Sequence, residues 1–155
     1  MLYPKRKPNR LKNYDYSQSG VYFITICTKD KENLFWDVGA TIGRPNLTKA
    51  GKIVERAILN IPKSYSSVTV DKYVIMPNHI HLLLHLHNEN GRAMHAPTIS
   101  TVIQQMKGYV TKQLGCNIWQ KLFHDHIVRN EESYKKIWQY IKDNPAKWEE
   151  DCFYN

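Results

Sequence analysis

The stretch VIMPNHIHLLLHLH, residues 74–87, limits the possible folds more than any other part of this chain. It carries four of the seven histidines, at 79, 81, 85 and 87, with Ile80, Leu82, Leu84 and Leu86 between them. Side chains two apart on a strand share a face, whereas on a helix the same set would scatter around the axis. The alternation therefore specifies a two-faced strand, apolar on one side and imidazole-bearing on the other. VTVDKYVIM (68–76) reads as a strand before it, and Pro77-Asn78 interrupts. HIHLLLHLH (79–87) is then either a second strand or the continuation of a bent one, closed by a turn at NENG (88–91).

The rest of the chain reads around that pair. GVYFITICT (20–28) is a strand, rich in β-branched and aromatic residues. Gly39, Gly43 and Pro45 mark residues 37–47 as a loop. A helix is expected from Thr48, its cap, to about Asn60, with Ile53, Val54, Ala57 and Ile58 on one face and Pro62 just beyond. A second helix runs from Thr98 to Leu114, with Ile99, Val102, Ile103, Met106, Val110 and Leu114 at helical spacing. WQKLFHDHIV contributes a short strand, and a third helix runs from Glu131 to about Asp143, bounded by Pro145. The order is strand, helix, two strands, helix, short strand, helix. That implies one α+β domain with an antiparallel sheet and helices mostly on one face, for which a ferredoxin-like arrangement is the natural form.

The formal net charge of +8 favours a polyanionic partner, nucleic acid before an anionic membrane surface, over a merely basic solvated surface. Residues 1–16 concentrate it: Lys5, Arg6, Lys7, Arg10 and Lys12 stand among Tyr3, Tyr14 and Tyr16, with Pro4 and Pro8 against a helix. This extended arm is either a clamp on a nucleic-acid backbone or a solvated tail. The three cysteines form no C-x-x-C pair, so neither a zinc ribbon nor a disulfide framework is suggested, and a cytoplasmic setting is expected. No signal-peptide core and no membrane-length apolar run is present.

His79 and His81 fall on one strand face, about 7 Å apart at Cα, and can converge on one metal ion. The alternative is a polar sheet face meeting water or another layer. His85 lies too far along the strand to join, so His85 and His87 are read as surface or groove residues. Two histidines do not complete a structural zinc tetrahedron, and an incomplete set suits a catalytic ion with open positions. On the third helix, Tyr134, Ile137, Trp138 and Ile141 stack on one face and Tyr134 is read as structural. Tyr140 lies about 100° round from that stripe, and Asn144 projects from the same flank one turn later. They are either groups presented to a site on the sheet or a boundary tyrosine and a C-cap asparagine.

M-P-N-H-I-H-L-L, K-G-Y-V-T, I-W-Q-K-L-F, H-I-V-R-N-E and Y-I-K-D-N-P-A-K-W, spread from about Arg10 to Trp148, together resemble the single-tyrosine HUH transposases. The resemblance is closest to the REP-associated branch of the IS200-like proteins. It implies an RRM-like sheet flanked by helices, with residues 17–155 as one catalytic domain behind the 1–16 arm. It implies that His79 and His81 bind a divalent metal, Mg²⁺ or Mn²⁺, with Asn144 helping, and that Tyr140 is the nucleophile. The implied activity is cleavage and strand transfer of single-stranded DNA, with hairpins, through a 5′-phosphotyrosine. A homodimer is one of two arrangements such families use. DNA contacts are expected from the arm and from Lys107 and Lys112 on the second helix. His124 and His126 are left outside the catalytic set. The competing reading is a non-catalytic nucleic-acid-binding module of the same fold. A phosphoesterase with paired H-x-T/S motifs lacks its second motif here, and a zinc hydrolase lacks an evident third ligand.

Overall fold

The computed structural model describes residues 19–37, 46–87 and 97–153, so the basic arm with Lys5, Arg6, Lys7, Arg10 and Lys12 lies outside the described residues. Four strands, β1 (Gly20–Cys27), β2 (Val68–Ile75), β3 (His79–Leu86) and β4 (His124–Val128), form one antiparallel sheet in the order β2-β3-β1-β4. Helix α1 (Lys49–Ser64) joins β1 to β2, and α2 (Ile99–Leu114) joins β3 to β4. Each crossover skips one strand, and right-handed crossovers of this kind put both helices on the same face. This is the ferredoxin-like α+β architecture expected above.

The two possibilities for residues 68–87 resolve to a hairpin. Met76, Pro77 and Asn78 make the turn, the Met76 amide donates to the His79 carbonyl at 2.8 Å, and Ile75 pairs with Ile80. The turn puts His79 at the first position of β3. Beyond it the alternation does what period two requires. Ile80, Leu82, Leu84 and Leu86 are buried with Ile53, Val54, Ile58, Val102, Ile103 and Val110 of α1 and α2. His79, His81 and Leu83 point to the opposite face and are buried too. The imidazole face therefore meets another layer, not water.

That layer is helix α3 (Glu131–Asp143) and the 3-10 segment Asn144–Glu150 after it. Asn130 caps α3, its side chain accepting from the Ser133 amide at 2.8 Å. The expected apolar stripe is only half-buried: Ile141 is fully covered, while Tyr134, Ile137 and Trp138 remain partly open. A β-bulge explains how α3 is fastened. Val68 and Val70 join the core on α1 and α2, but so do Tyr73 and Ile75, which are of opposite parity. The register slips between Val70 and Lys72, leaving Asp71 as the extra residue. Its carboxylate accepts a 2.8 Å hydrogen bond from Tyr134, and Lys72 lies 4.3 Å above the Trp138 ring. Tyr134 is thus a structural anchor, as its place on the stripe implied.

One boundary differs from expectation. Helix α1 runs to Ser64 with Pro62 inside it, because Ile61 is buried and the Tyr65 amide closes the last turn on the Ile61 carbonyl at 2.9 Å. Proline at this position forgoes its own bond to the carbonyl four residues back, a cost that the burial of Ile61 offsets. Among the described residues no helix is long and apolar enough to cross a membrane.

Candidate active site

The site is built at one end of the second sheet face, where register does the first part of the work. Thr25 of β1 stands directly opposite His81 and Cys27 opposite His79. Across that pair, Thr25 Oγ1 lies 2.9 Å from His81 Nδ1. His79 Nδ1 lies 2.8 Å from Asn78 Oδ1. The amide nitrogen of Asn78 donates to the carbonyls of Phe153, at 2.8 Å, and Lys31, at 3.4 Å, which fixes which side of the amide faces the ring. Oδ1 can only accept, so His79 carries its proton on Nδ1 and turns the Nε2 lone pair inward. The Thr25 hydroxyl can donate or accept, so it supports either tautomer of His81.

The two Nε2 atoms are 3.2 Å apart. Two nitrogens each ~2.1 Å from one ion and nearly at right angles would stand about 3 Å apart. Burial lowers both imidazole pKa values to about 3, with His79 adding to the shift of His81 and Asp151 opposing it, so both rings are neutral near pH 7. Aromatic rings wall the pair. Phe153 lies 4.5 Å and Trp148 5.9 Å from the His79 ring, and Phe23 stacks at 5.1 Å on His81.

Two further buried oxygens, from Asp151 and Asn144, lack hydrogen-bond partners. Asp151 Oδ2 lies 3.9 Å from His79 Nε2, and a ligand atom from each of His79, His81 and Asp151 lies within 4.8 Å of the others. The backbone amide of Phe153 donates to Asp151 Oδ1 at 2.8 Å, but Oδ2 is buried with no hydrogen-bond partner. Asn144 Oδ1 is likewise buried and without a partner. A desolvated carboxylate beside neutral imidazoles is costly unless a cation offsets it. Nitrogen and oxygen donors of this mixture fit a divalent ion of the Mn²⁺ or Mg²⁺ class.

Tyr140 stands beside this cluster. Its ring meets His81 edge-on at 5.4 Å and Phe23 at 6.3 Å, and it keeps 44% of its surface exposed. Burial raises its pKa above the ordinary value, a hydrogen bond from the Asn144 side chain opposes that, and Asp151 and Cys152 add to the rise. An Asn144 hydrogen bond that lowers the tyrosine pKa is one that favours the phenolate over the phenol. Asn144 also caps α3, its backbone amide donating to the Ile141 carbonyl.

The chain is 36% identical over 170 residues to a Haemophilus influenzae protein described only as uncharacterized, covering 96% of this chain and 93% of that protein. It is 26% identical over 148 residues to a putative REP-associated tyrosine transposase of the same organism, covering 88% of this chain and 77% of the relative. A solved REP-associated tyrosine transposase, bound to a REP hairpin, superposes with a TM-score of 0.67 at 22% identity, covering 90% of this chain and 74% of that one. Its identity is low enough that it speaks for the fold. The chain belongs to the REP-associated tyrosine transposases of the IS200-like family. Comparison with protein-family profiles gives no match.

Of the site residues expected from the sequence, His79, His81 and Tyr140 come together, and Asn144 joins them through Tyr140. The expected DNA contacts on α2 lie elsewhere. Lys112 is exposed in its last turn, and the Lys107 amine is engaged with the carbonyls of Gln120, at 2.8 Å, and Lys121, at 3.5 Å. His85 and His87 stack on each other at 3.8 Å, away from the cluster, and His124 and His126 are exposed on β4. Asp151, Thr25 and Asn78 were not anticipated. Asn78 had a signal, since it precedes the H-x-H pair in the turn. Thr25 is visible only once register is known, and Asp151 only once the 3-10 segment folds back.

Proposed function

We propose that the chain cuts and rejoins single-stranded DNA through a covalent phosphotyrosine at Tyr140. The observation that carries this reading is Tyr140 itself, an accessible phenol held by the Asn144 side chain and set edge-on to a buried imidazole pair. His79, His81 and Asp151, with Asn144 Oδ1, would hold the divalent ion. When bound, that ion supplies Lewis-acid polarisation of a phosphodiester and offsets its charge.

The chain's own groups then have defined tasks. Asn78 and Thr25 hold the ring nitrogens so that both Nε2 atoms face inward. Phe23, Trp148 and Phe153 keep water from the imidazoles. The Asn144 amide stabilises the phenolate as Tyr140 loses its proton to solvent. The Tyr140 oxygen bonds to phosphorus, the bond to the 3′ oxygen breaks, and that oxygen leaves with the electron pair and is protonated. A 5′-phosphotyrosine and a free 3′-OH result. Attack by a second 3′-OH reverses the step and releases Tyr140, with no net oxidation and no nucleotide cofactor. Tyr140 lies beside His81 of its own chain, so we take the site to act in cis.

The solved relative binds a REP hairpin, so hairpin-bearing single strands are the substrate to try first. The test is denaturing electrophoresis of labelled hairpin DNA from the region flanking the gene, incubated with protein and Mn²⁺. An adduct lost in Tyr140→Phe and with chelator is expected. An adduct surviving Tyr140→Phe would mean another nucleophile. Salt-sensitive binding with no adduct on any such strand would leave the binding-module reading.

A further inference from the structure

Beside the metal-ligand cluster lies an open cleft of about 810 Å³, walled by Lys29 and Lys31 on one side and Asn117, Gln120 and Lys121 on the other. We propose that this cleft carries the phosphodiester backbone of the single strand next to the bond being cut. The inference deepens the reading above by naming a surface that holds the substrate.

Three features argue for it. The first is charge. Lys29, Lys31 and Lys121 are exposed around one cleft, with Asp30 as its sole acidic lining residue. The second is rigidity. Asp30 and Lys31 both hold left-handed backbone angles, with φ of 56° and 54°, which non-glycine residues adopt at a cost. Such strain persists where surrounding structure over-determines it. Here the Lys29 amide donates to the Ile118 carbonyl at 2.8 Å, the Gln120 amide to the Cys27 carbonyl at 3.0 Å, and the Thr28 hydroxyl to the Glu32 carbonyl at 2.8 Å. Half-buried Lys107 braces the opposite wall through the Gln120 carbonyl. The third feature is continuity. Asn78, which orients His79, receives the Thr28 amide at 2.9 Å and donates to the Lys31 carbonyl. One residue therefore joins the cleft wall to the metal-ligand pair, and a strand leaving the site on this side enters the cleft.

The test measures binding of a fluorescein-labelled oligothymidylate as a function of salt. Each single-strand phosphate neutralised contributes about 0.7 to the slope of log K against log salt. The combined Lys29→Ala, Lys31→Ala and Lys121→Ala variant should lose about 2 from that slope. Its affinity deficit should then change about twenty-fold between 50 and 200 mM salt. The corresponding three Lys→Arg changes should restore the slope. Lys135→Gln with Lys136→Gln, which removes lysines already paired with Glu131 and Glu132 on α3, should leave it nearly unchanged. An unchanged slope in the triple variant would overturn the proposal. So would an equal loss per charge in the α3 control, which would mean net charge alone. Adduct formation is read separately at saturating DNA. A wild type without adduct but with the expected slopes refutes the cleavage reading and leaves the cleft. An adduct with unchanged slopes does the reverse.

Discussion

If His79, His81 and Asp151 form a metal site, Mn²⁺ must stabilise the fold, and by an amount that can be worked out. A ligand that binds only the native state adds about 2.7 kcal/mol at one hundred times its dissociation constant. For a domain of this size each kcal/mol moves the melting temperature by about 2–4 °C, so a rise of about 5–10 °C is expected. The pH dependence makes the test sharper. Both imidazoles are depressed to about 3 by burial, so in the native state protons do not compete for them between pH 7 and pH 5. The Mn²⁺ affinity should be nearly flat over that window, whereas an exposed histidine pair would lose affinity below about pH 6.5. The metal-free protein behaves differently. The unfolded chain takes up protons on these histidines below about 6.5 and the native state does not, so stability is fully present above pH 6.5 and falls as pH drops toward 3. The slope is up to about 1.4 kcal/mol per pH unit for each imidazole. The assay is differential scanning fluorimetry at pH 5–8 with and without Mn²⁺, for wild type, His81→Gln and Asp151→Asn. Loss of the shift in both variants is expected. An undiminished shift in His81→Gln would refute the assignment of the pair. A shift that vanishes between pH 7 and pH 5.5 would refute the buried, neutral state of the rings.

Thr25→Val removes the partner of His81 Nδ1 and should weaken Mn²⁺ binding by about 10–100-fold in calorimetric titration, with Thr25→Ser restoring it. Tyr134→Phe should cost about 1 kcal/mol in urea unfolding by releasing the Asp71 carboxylate, yet leave the adduct yield unchanged, the opposite of Tyr140→Phe. Two glycines in helices should respond with opposite signs. A Cβ at Gly51 would stand 2.5 Å from the Phe35 carbonyl oxygen, so Gly51→Ala should destabilise by about 1–3 kcal/mol although alanine is the better helix former. Gly108 has nothing within 4 Å of that position, so Gly108→Ala should stabilise by about 0.5–1 kcal/mol by the same unfolding measurement.

What the sequence made legible follows from the range of each physical signal. Alternation in β3 is local, and it correctly assigned Ile80, Leu82, Leu84 and Leu86 to one face and His79 and His81 to the other. The parity change from Val68 and Val70 to Tyr73 and Ile75 was also present, and it is the mark of the bulge at Asp71. Its purpose becomes visible only when Tyr134, 63 residues later, is found bonded to that carboxylate. The same distance limit governs the site. Helical spacing set Tyr140 and Asn144 apart from the apolar stripe of α3, but spacing within one helix says nothing about the strand it will face. Asp151 had no local signal at all. It belongs to a short turn whose position depends on Phe153 and Trp148 packing on His79 and on the Asn78 amide gripping the Phe153 carbonyl. A buried carboxylate oxygen without a partner would make that turn unfavourable by itself. The packing that brings Asp151 to the imidazoles and the cation that would offset its charge therefore depend on each other, so the donor set is a property of the folded chain and not of any one motif.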